Sequence, residues 1–242
     1  MFLDPLYMVI LVIGLLLSSI ASFMVSRSFK AGQKVQIKGG LSGAEVAKAI
    51  LASASITDVS VHETRGFLAD HYNPLNKTLH LSKEVYHGRN ASAAGVAAHE
   101  VGHALQHAEN YFPMWLRSFV VPAANIGSKL GSWLVILGII LMSGSMAGIG
   151  QIMAVIGVVL FGLATLFTFV TVPVEFDASN RAKKRLQNMG IVLPGREYKA
   201  VSAVLLAAAF VVVFALAWRL LAAARWRNVH AFPGCLFPAA AG

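Results

Sequence analysis

Four stretches of this chain are apolar for about twenty residues each, the length an α-helix needs to cross the hydrocarbon core of a bilayer. They cover residues 5–25, 120–142, about 149–172 and 201–221. A segment in lipid must satisfy its own backbone hydrogen bonds, so each is read as a helix. The remainder cannot dilute them: 57% of the residues are hydrophobic and 13% are charged, against about 25% charged in soluble domains. No Lys or Arg precedes the first stretch and Asp4 stands before it, which argues against a secretory signal. Arg27, Lys30, Lys34 and Lys38 follow it. The excess of basic residues on cytoplasmic loops therefore places the N-terminus outside and the next segment inside. The last stretch would return the C-terminus outside, leaving Arg219, Arg225 and Arg227 against that rule, which is statistical.

The net charge of +9 gathers beside the apolar runs, as expected for contact with anionic lipid. No basic patch interleaved with aromatics is present, so no nucleic-acid partner is expected. The single cysteine, Cys235, excludes an intrachain disulfide and a cysteine-based zinc site.

The polar part, residues 27–117, is small and is expected to complete its core with the membrane helices. Ser42 and Glu45 form a capping pair ahead of an apolar face of Val46, Ala49 and Ile50. Residues 59–63 and 77–81 read as strands, 66–74 as a loop and 82–86 as a short helical turn. Residues 91–110 read as a helix, with Ser92 as its cap and Asn110 and Pro113 as its stop. That helix carries His99-Glu100-Val101-Gly102-His103. Residues four apart share a helix face, so His99 and His103 can offer two imidazoles to one metal ion. Glu100 lies beside the first ligand, placed to take a proton from a water that zinc makes acidic. His107 is about 12 Å along the axis from His99 and is read as structural. Gln106 and Glu109 stand where an H-E-x-x-H-x-x-G-x-x-H extension needs Gly and His, so the third ligand lies elsewhere.

Two crossings after the polar part return the chain to its starting side at Glu175. Topology allows Glu175 as a third ligand, with Asp177 or Ser179 orienting a ligand. An interfacial acid paired with Arg181 is an equal alternative. His71, Tyr72 and His80 precede the helix and offer groups that can polarise a carbonyl. A peptide could add to a strand edge beside the metal. Residues 180–188 are basic and suited to lie on the inner leaflet.

Asp70-His71-Tyr72-Asn73-Pro74, Leu79-His80-Leu81-Ser82, the stretches 41–47, 97–108 and 121–128, and Pro173-Val174-Glu175-Phe176-Asp177-Ala178-Ser179 occur in this order. In them the chain resembles the bacterial membrane-bound neutral zinc metallopeptidases of the YugP type. The resemblance implies one Zn2+ held by His99, His103 and Glu175, a gluzincin-like set, with Glu100 as base. It covers residues 1 to about 221. The chain is also distantly similar to membrane zinc proteases of the prenyl-protein and heat-shock type, which carry E-x-x-x-D; here position 179 is Ser and Asp177 lies two residues earlier.

The fold expected is a mainly α integral membrane protein with about four transmembrane helices and a small α+β zincin-like cytoplasmic region carrying the H-E-x-x-H helix. Its parts are a first span (1–26), the cytoplasmic region (27–118), a transmembrane hairpin (119–172), a third-ligand segment with a basic interfacial helix (173–200), a last span (201–221) and a flexible tail (222–242). The expected function is a zinc metalloendopeptidase of the bacterial cell membrane, its site facing the cytoplasm. Glu100 would be the general base and His71 or Tyr72 the oxyanion stabiliser. Polypeptides, membrane proteins among them, are the substrates and the lipid bilayer is the other partner. The rival is a non-proteolytic scaffold or chaperone with a structural zinc, closed by a fourth ligand such as His71 or His107. A metal transporter would want more ionisable groups within its spans than Lys129.

Overall fold

The computed structural model describes residues 5–67, 69–142 and 144–230. Seven helices and three short strands follow in the order α1 (Pro5–Gln33), α2 (Gly43–Ser53), β1 (Ser60–Thr64), β2 (His71–Asn73), β3 (Thr78–Ser82), α3 (Lys83–Tyr86), α4 (Ala91–Ala108), α5 (Phe112–Met142), α6 (Ala147–Asn188) and α7 (Arg196–His230). Among the described residues, α1, α6 and α7 contain runs long and apolar enough to cross a membrane, and α5 contributes the shorter apolar run Trp133–Met142. The side chain of Lys129 and residues 231–242, most of the expected tail, lie outside the description. Helix α7 itself runs past residue 221, where the last span was expected to end.

Helix α4 is central. Every residue from Ala91 to Gln106 is buried except Val96, which is partly so. A helix can be surrounded in this way only if its side chains are small, and α4 is built largely from Ala, Gly and Ser. Gly95 faces Val201 of α7, and a Cβ at Gly102 would stand 2.6 Å from the carbonyl oxygen of Ala178 in α6. The start of α4 differs from expectation. Its cap is Asn90, whose side chain accepts from Ala93 N at 3.0 Å. Ser92 instead donates to the carbonyl of Phe29 at 2.7 Å, tying α4 to α1. The stop is a left-handed Asn110 (φ 52°), with Asn110 N bonding His107 O and Tyr111 N bonding Gln106 O.

The core of the polar part is shared with α6 and α7. Phe29 of α1, Ile50 of α2, Leu79 and Leu81 of β3, Val101 of α4, Val174 and Leu186 of α6 and Val201 of α7 are fully buried in one cluster. Each such side chain contributes about 1.5–3 kcal/mol. The capping box of α2 is present, with Glu45 N bonding Ser42 Oγ and Ser42 N bonding Glu45 Oε2.

Two expectations are corrected. The sheet has the order β1-β3-β2, with β1 parallel and β2 antiparallel to β3. Residues 71–73, expected in a loop, are thus an edge strand, and the strand expected beside the metal is the central one. Three residues are too few to show an alternation. Second, residues 173–188 form no separate interfacial helix. They continue α6 through Pro173, and its 42 residues extend about 63 Å. That is about twice the hydrocarbon thickness. Helices α5 and α6 pack as a hairpin in which glycines bring the backbones together: a Cβ at Gly127 would meet Leu160 O at 2.5 Å, and one at Gly138 would meet Ala154 N at 2.6 Å.

The α4–α6 approach sets the position of Glu175. Gly102→Ala is expected to force these helices apart and destabilise the protein by about 1–3 kcal/mol. A lowered melting temperature in detergent, together with reduced bound metal, checks this; an unchanged temperature would show that the approach is not tight.

Candidate metal centre and cleft

Helix α4 presents His99 and His103 one turn apart, ring centroids 4.8 Å from each other and planes 81° apart. Helix α6 brings Glu175 between them. Glu175 Oε2 lies 3.0 Å from His99 Nε2 and 3.6 Å from His103 Nε2. The three ligand atoms lie within 4.8 Å of one another and can hold a single metal ion. Ligands at about 2.0–2.1 Å in a tetrahedral site stand about 3.3 Å apart, so the observed separations suit one ion. His99, Glu100 and His103 are 9%, 9% and 5% exposed.

The outer hydrogen bonds fix the donor set. The amide nitrogen of Gln106 donates to Val174 O at 2.8 Å and to Asp177 Oδ2 at 2.9 Å. Its Oε1 must therefore face His103 Nδ1, 3.0 Å away, and that nitrogen carries the hydrogen. The Nε2 of neutral His103 is then a lone pair aimed at a carboxylate. In that form a cation could lie between the two acceptors. His99 Nδ1 is held by Ser179 Oγ at 3.1 Å. Both residues expected to orient a ligand thus lie behind one, Ser179 directly and Asp177 through Gln106. Arg181 bonds Asp177 and Glu109, not Glu175. The partner of Glu175 is Arg117, whose guanidinium lies 3.2 Å from Oε1.

Burial opposes a charged imidazole at His99, but its bond to Glu175 and the charge of Glu100 outweigh that and hold its pKa above the ordinary value. Protons and metal therefore compete for the same nitrogen.

The centre lies in a cleft of about 510 Å3. One wall is β2 with Pro74 and Leu75, the other is the start of α5 with Met114, Arg117, Ser118 and Val121, and Glu100 also lines it. His71 and Tyr72 line the cleft, but neither joins the ligand cluster. His71 Nδ1 faces the carbonyl of Ala69 at 2.9 Å and so carries the hydrogen, leaving Nε2 a donor only in the charged ring. The Tyr72 hydroxyl bonds His107 Nδ1 at 2.8 Å, locking β2 to α4. Burial, with a smaller effect of Asp58, pushes its pKa up to about 12. His80 stacks between His62 and His71 on the other side of the sheet from Leu79 and Leu81.

Three residues escaped the sequence reading. Gln106 is one turn beyond His103 on the same face, a signal that helical spacing does carry. Arg117 gives no local signal in the sequence. Asp70 also lines the cleft and accepts from Ser82 N and Oγ. Burial pushes its carboxyl up against those bonds, and Glu100 adds to the rise.

Residues 7–230 match the family model described as "Putative neutral zinc metallopeptidase". The chain is 40% identical over 210 residues to "Putative membrane protease YugP" of Bacillus subtilis (strain 168), covering 87% of this chain and 90% of that protein. No solved structure matches.

Gln106→Leu keeps the size of the side chain and removes the bond to His103. Zinc affinity is expected to fall about 10–100-fold, as for other partners that orient metal ligands. Competition with a chromophoric chelator measures it, and an unchanged affinity would show that Gln106 does not hold the ring.

Proposed function

The chain belongs to the neutral zinc metallopeptidase family, and from that premise we propose that it is a membrane zinc metalloendopeptidase with Glu100 as general base and a cytoplasm-facing cleft. The observation that carries this reading is the convergence of His99, His103 and Glu175 at the base of an open cleft that Glu100 and an edge strand also line.

His99, His103 and Glu175 would hold a zinc ion, which would supply a Lewis acid to polarise a carbonyl and acidify water. Glu100, next to His99 in the chain, takes the proton of the attacking water on its carboxylate and passes it to the leaving amine. Arg117 occupies Oε1 of Glu175 and so leaves a single oxygen for the metal. The unpaired edge of β2 holds an extended substrate by backbone hydrogen bonds. The oxyanion role is given to His71, which lines the cleft, because the Tyr72 hydroxyl is engaged by His107. Three protein ligands among the described residues, with cleft space before them, support a catalytic site over a closed structural one. His107 is committed to Tyr72, which weighs against it as a fourth ligand.

The zincin-like region comprises residues 27–118, and α5 crosses the membrane with α6 as a hairpin (119–172), giving four crossings with α1 and α7. The close glycine packing of α5 along α6 supports this, as do the exposed apolar faces of both helices. The basic residues after α1 support a cytoplasmic site.

Metal content and casein hydrolysis on the parent and on Glu100→Gln test the reading. Both are expected to bind one zinc per chain, with hydrolysis by the variant lower by about 100–10,000-fold. Zinc binding without cleavage of casein or of membrane-protein substrates by the parent would move the structural-zinc scaffold ahead. Absence of zinc from both would remove the ligand assignment.

A further inference from the structure

Phe112, Trp115 and Phe119 are 66%, 61% and 74% exposed at the start of α5. Their rings stack in succession, with centroids 6.1 and 5.9 Å apart. Spaced three and four residues apart, they form one stripe of the helix. The same stripe continues after three turns through Leu130, Trp133 and Leu137, all exposed, alongside the apolar part of α6. The aromatic stretch is thus continuous with the surface that faces lipid in the proposed hairpin. The opposite side of the same two turns carries Met114, Arg117 and Ser118, which form the cleft wall.

Length decides the depth. The 31 residues of α5 extend about 46 Å. This matches the full bilayer with its headgroup layers, about 40–45 Å, and exceeds the hydrocarbon core of about 30 Å. Ladders of Trp and Phe are at home in the headgroup layer, where a soluble surface would hide them.

We propose that Phe112, Trp115 and Phe119 seat the start of α5 in the headgroup layer, so that the cleft on its other side takes juxtamembrane segments of membrane-anchored polypeptides. The occupant of the ladder is the bilayer. The substrate assignment rests on the peptidase reading; the seating does not. The ladder fixes the cleft mouth at the height where an anchored chain leaves the membrane. A segment held there by its own anchor reaches β2 and the metal without paying for capture from bulk solution.

The test uses the full chain with Cys235→Ser in nanodiscs of phosphatidylethanolamine and phosphatidylglycerol. Nitroxide labels are placed singly at positions 112, 115 and 119, with a reference label at Leu75, which is 94% exposed. Frequent collision with oxygen and infrequent collision with a water-soluble nickel chelate, relative to position 75, is the expected result. Equal nickel access at all positions overturns the proposal, as does dipolar broadening between labels, which would mean that a second copy covers the ladder. A casein segment is then offered free and fused to a single transmembrane helix. The wild type is expected to prefer the fused form. The triple variant Phe112→Ser, Trp115→Ser, Phe119→Ser is expected to lose that preference while retaining zinc and its rate on the free segment. Equal rates on both forms by the wild type overturn the substrate assignment. A wild type that cleaves neither form sinks the peptidase reading and the substrate assignment with it, while the label data still decide the seating.

Discussion

The approach of α4 to α6 at Gly102 is the constraint on which the rest of this structure depends. The candidate metal ligands come from two helices that are far apart in sequence, His99 and His103 on one and Glu175 on the other. A carboxylate reaches two imidazoles at 3.0 and 3.6 Å only if the helix backbones nearly touch. The absent side chain at Gly102 permits that, and the Ala-rich surface of α4 permits the same closeness to α1, α2 and α7. Small side chains give up apolar burial per residue. The fold recovers it by inserting large residues from the neighbours, Phe29, Val174 and Val201 among them, against the thin helix. The helix that carries His99, Glu100 and His103 is therefore packed on every side.

A second consequence is electrostatic. Glu175 is taken largely out of water, at a cost of several kcal/mol for an unpaired carboxylate. Arg117 offsets part of this through one oxygen, and the other oxygen meets two imidazoles whose outer nitrogens are already engaged. Asp177 is neutralised in turn by Arg181, which reaches on to Glu109 at the end of α4. The charges then alternate outward from Asp177 through Arg181 to Glu109 at the surface. Where the donor atoms of His99, His103 and Glu175 converge, a metal ion could be held.

Much of this was legible before the fold was known, because it rests on periodicities that a helix imposes. Apolar runs of about twenty residues announced the long helices, and the spacing of His99 and His103 announced a shared face. The capping pair of Ser42 and Glu45 was also local and readable. What was not legible came from tertiary placement. Residues 71–73 become a strand only because β3 offers a partner edge. Ser92 looked like a cap, but it sits two positions past the cap at Asn90, and its hydroxyl goes to α1. Residues 173–188 looked like a new segment because Pro173 and a change from apolar to basic composition fall together; in the fold both are absorbed within one helix. Arg117 gave no sign of its role, since its partner Glu175 stands 58 positions away and is brought back only by the α5–α6 hairpin.

The continuity of α6 carries a mechanical meaning. Its apolar half packs on α5, and its polar half supplies Glu175, Asp177, Ser179 and Arg181 without an intervening loop. Arg117, which steadies Glu175, extends from α5, the other limb of the same hairpin. One ligand and most of its support are therefore rigidly attached to a body lodged among apolar helices, while the two imidazoles belong to the polar part. The interface between α4 and α6 is the joint between those two bodies. A metal ion held by His99, His103 and Glu175 would add a tie between α4 and α6 at the place where Gly102 already brings them together.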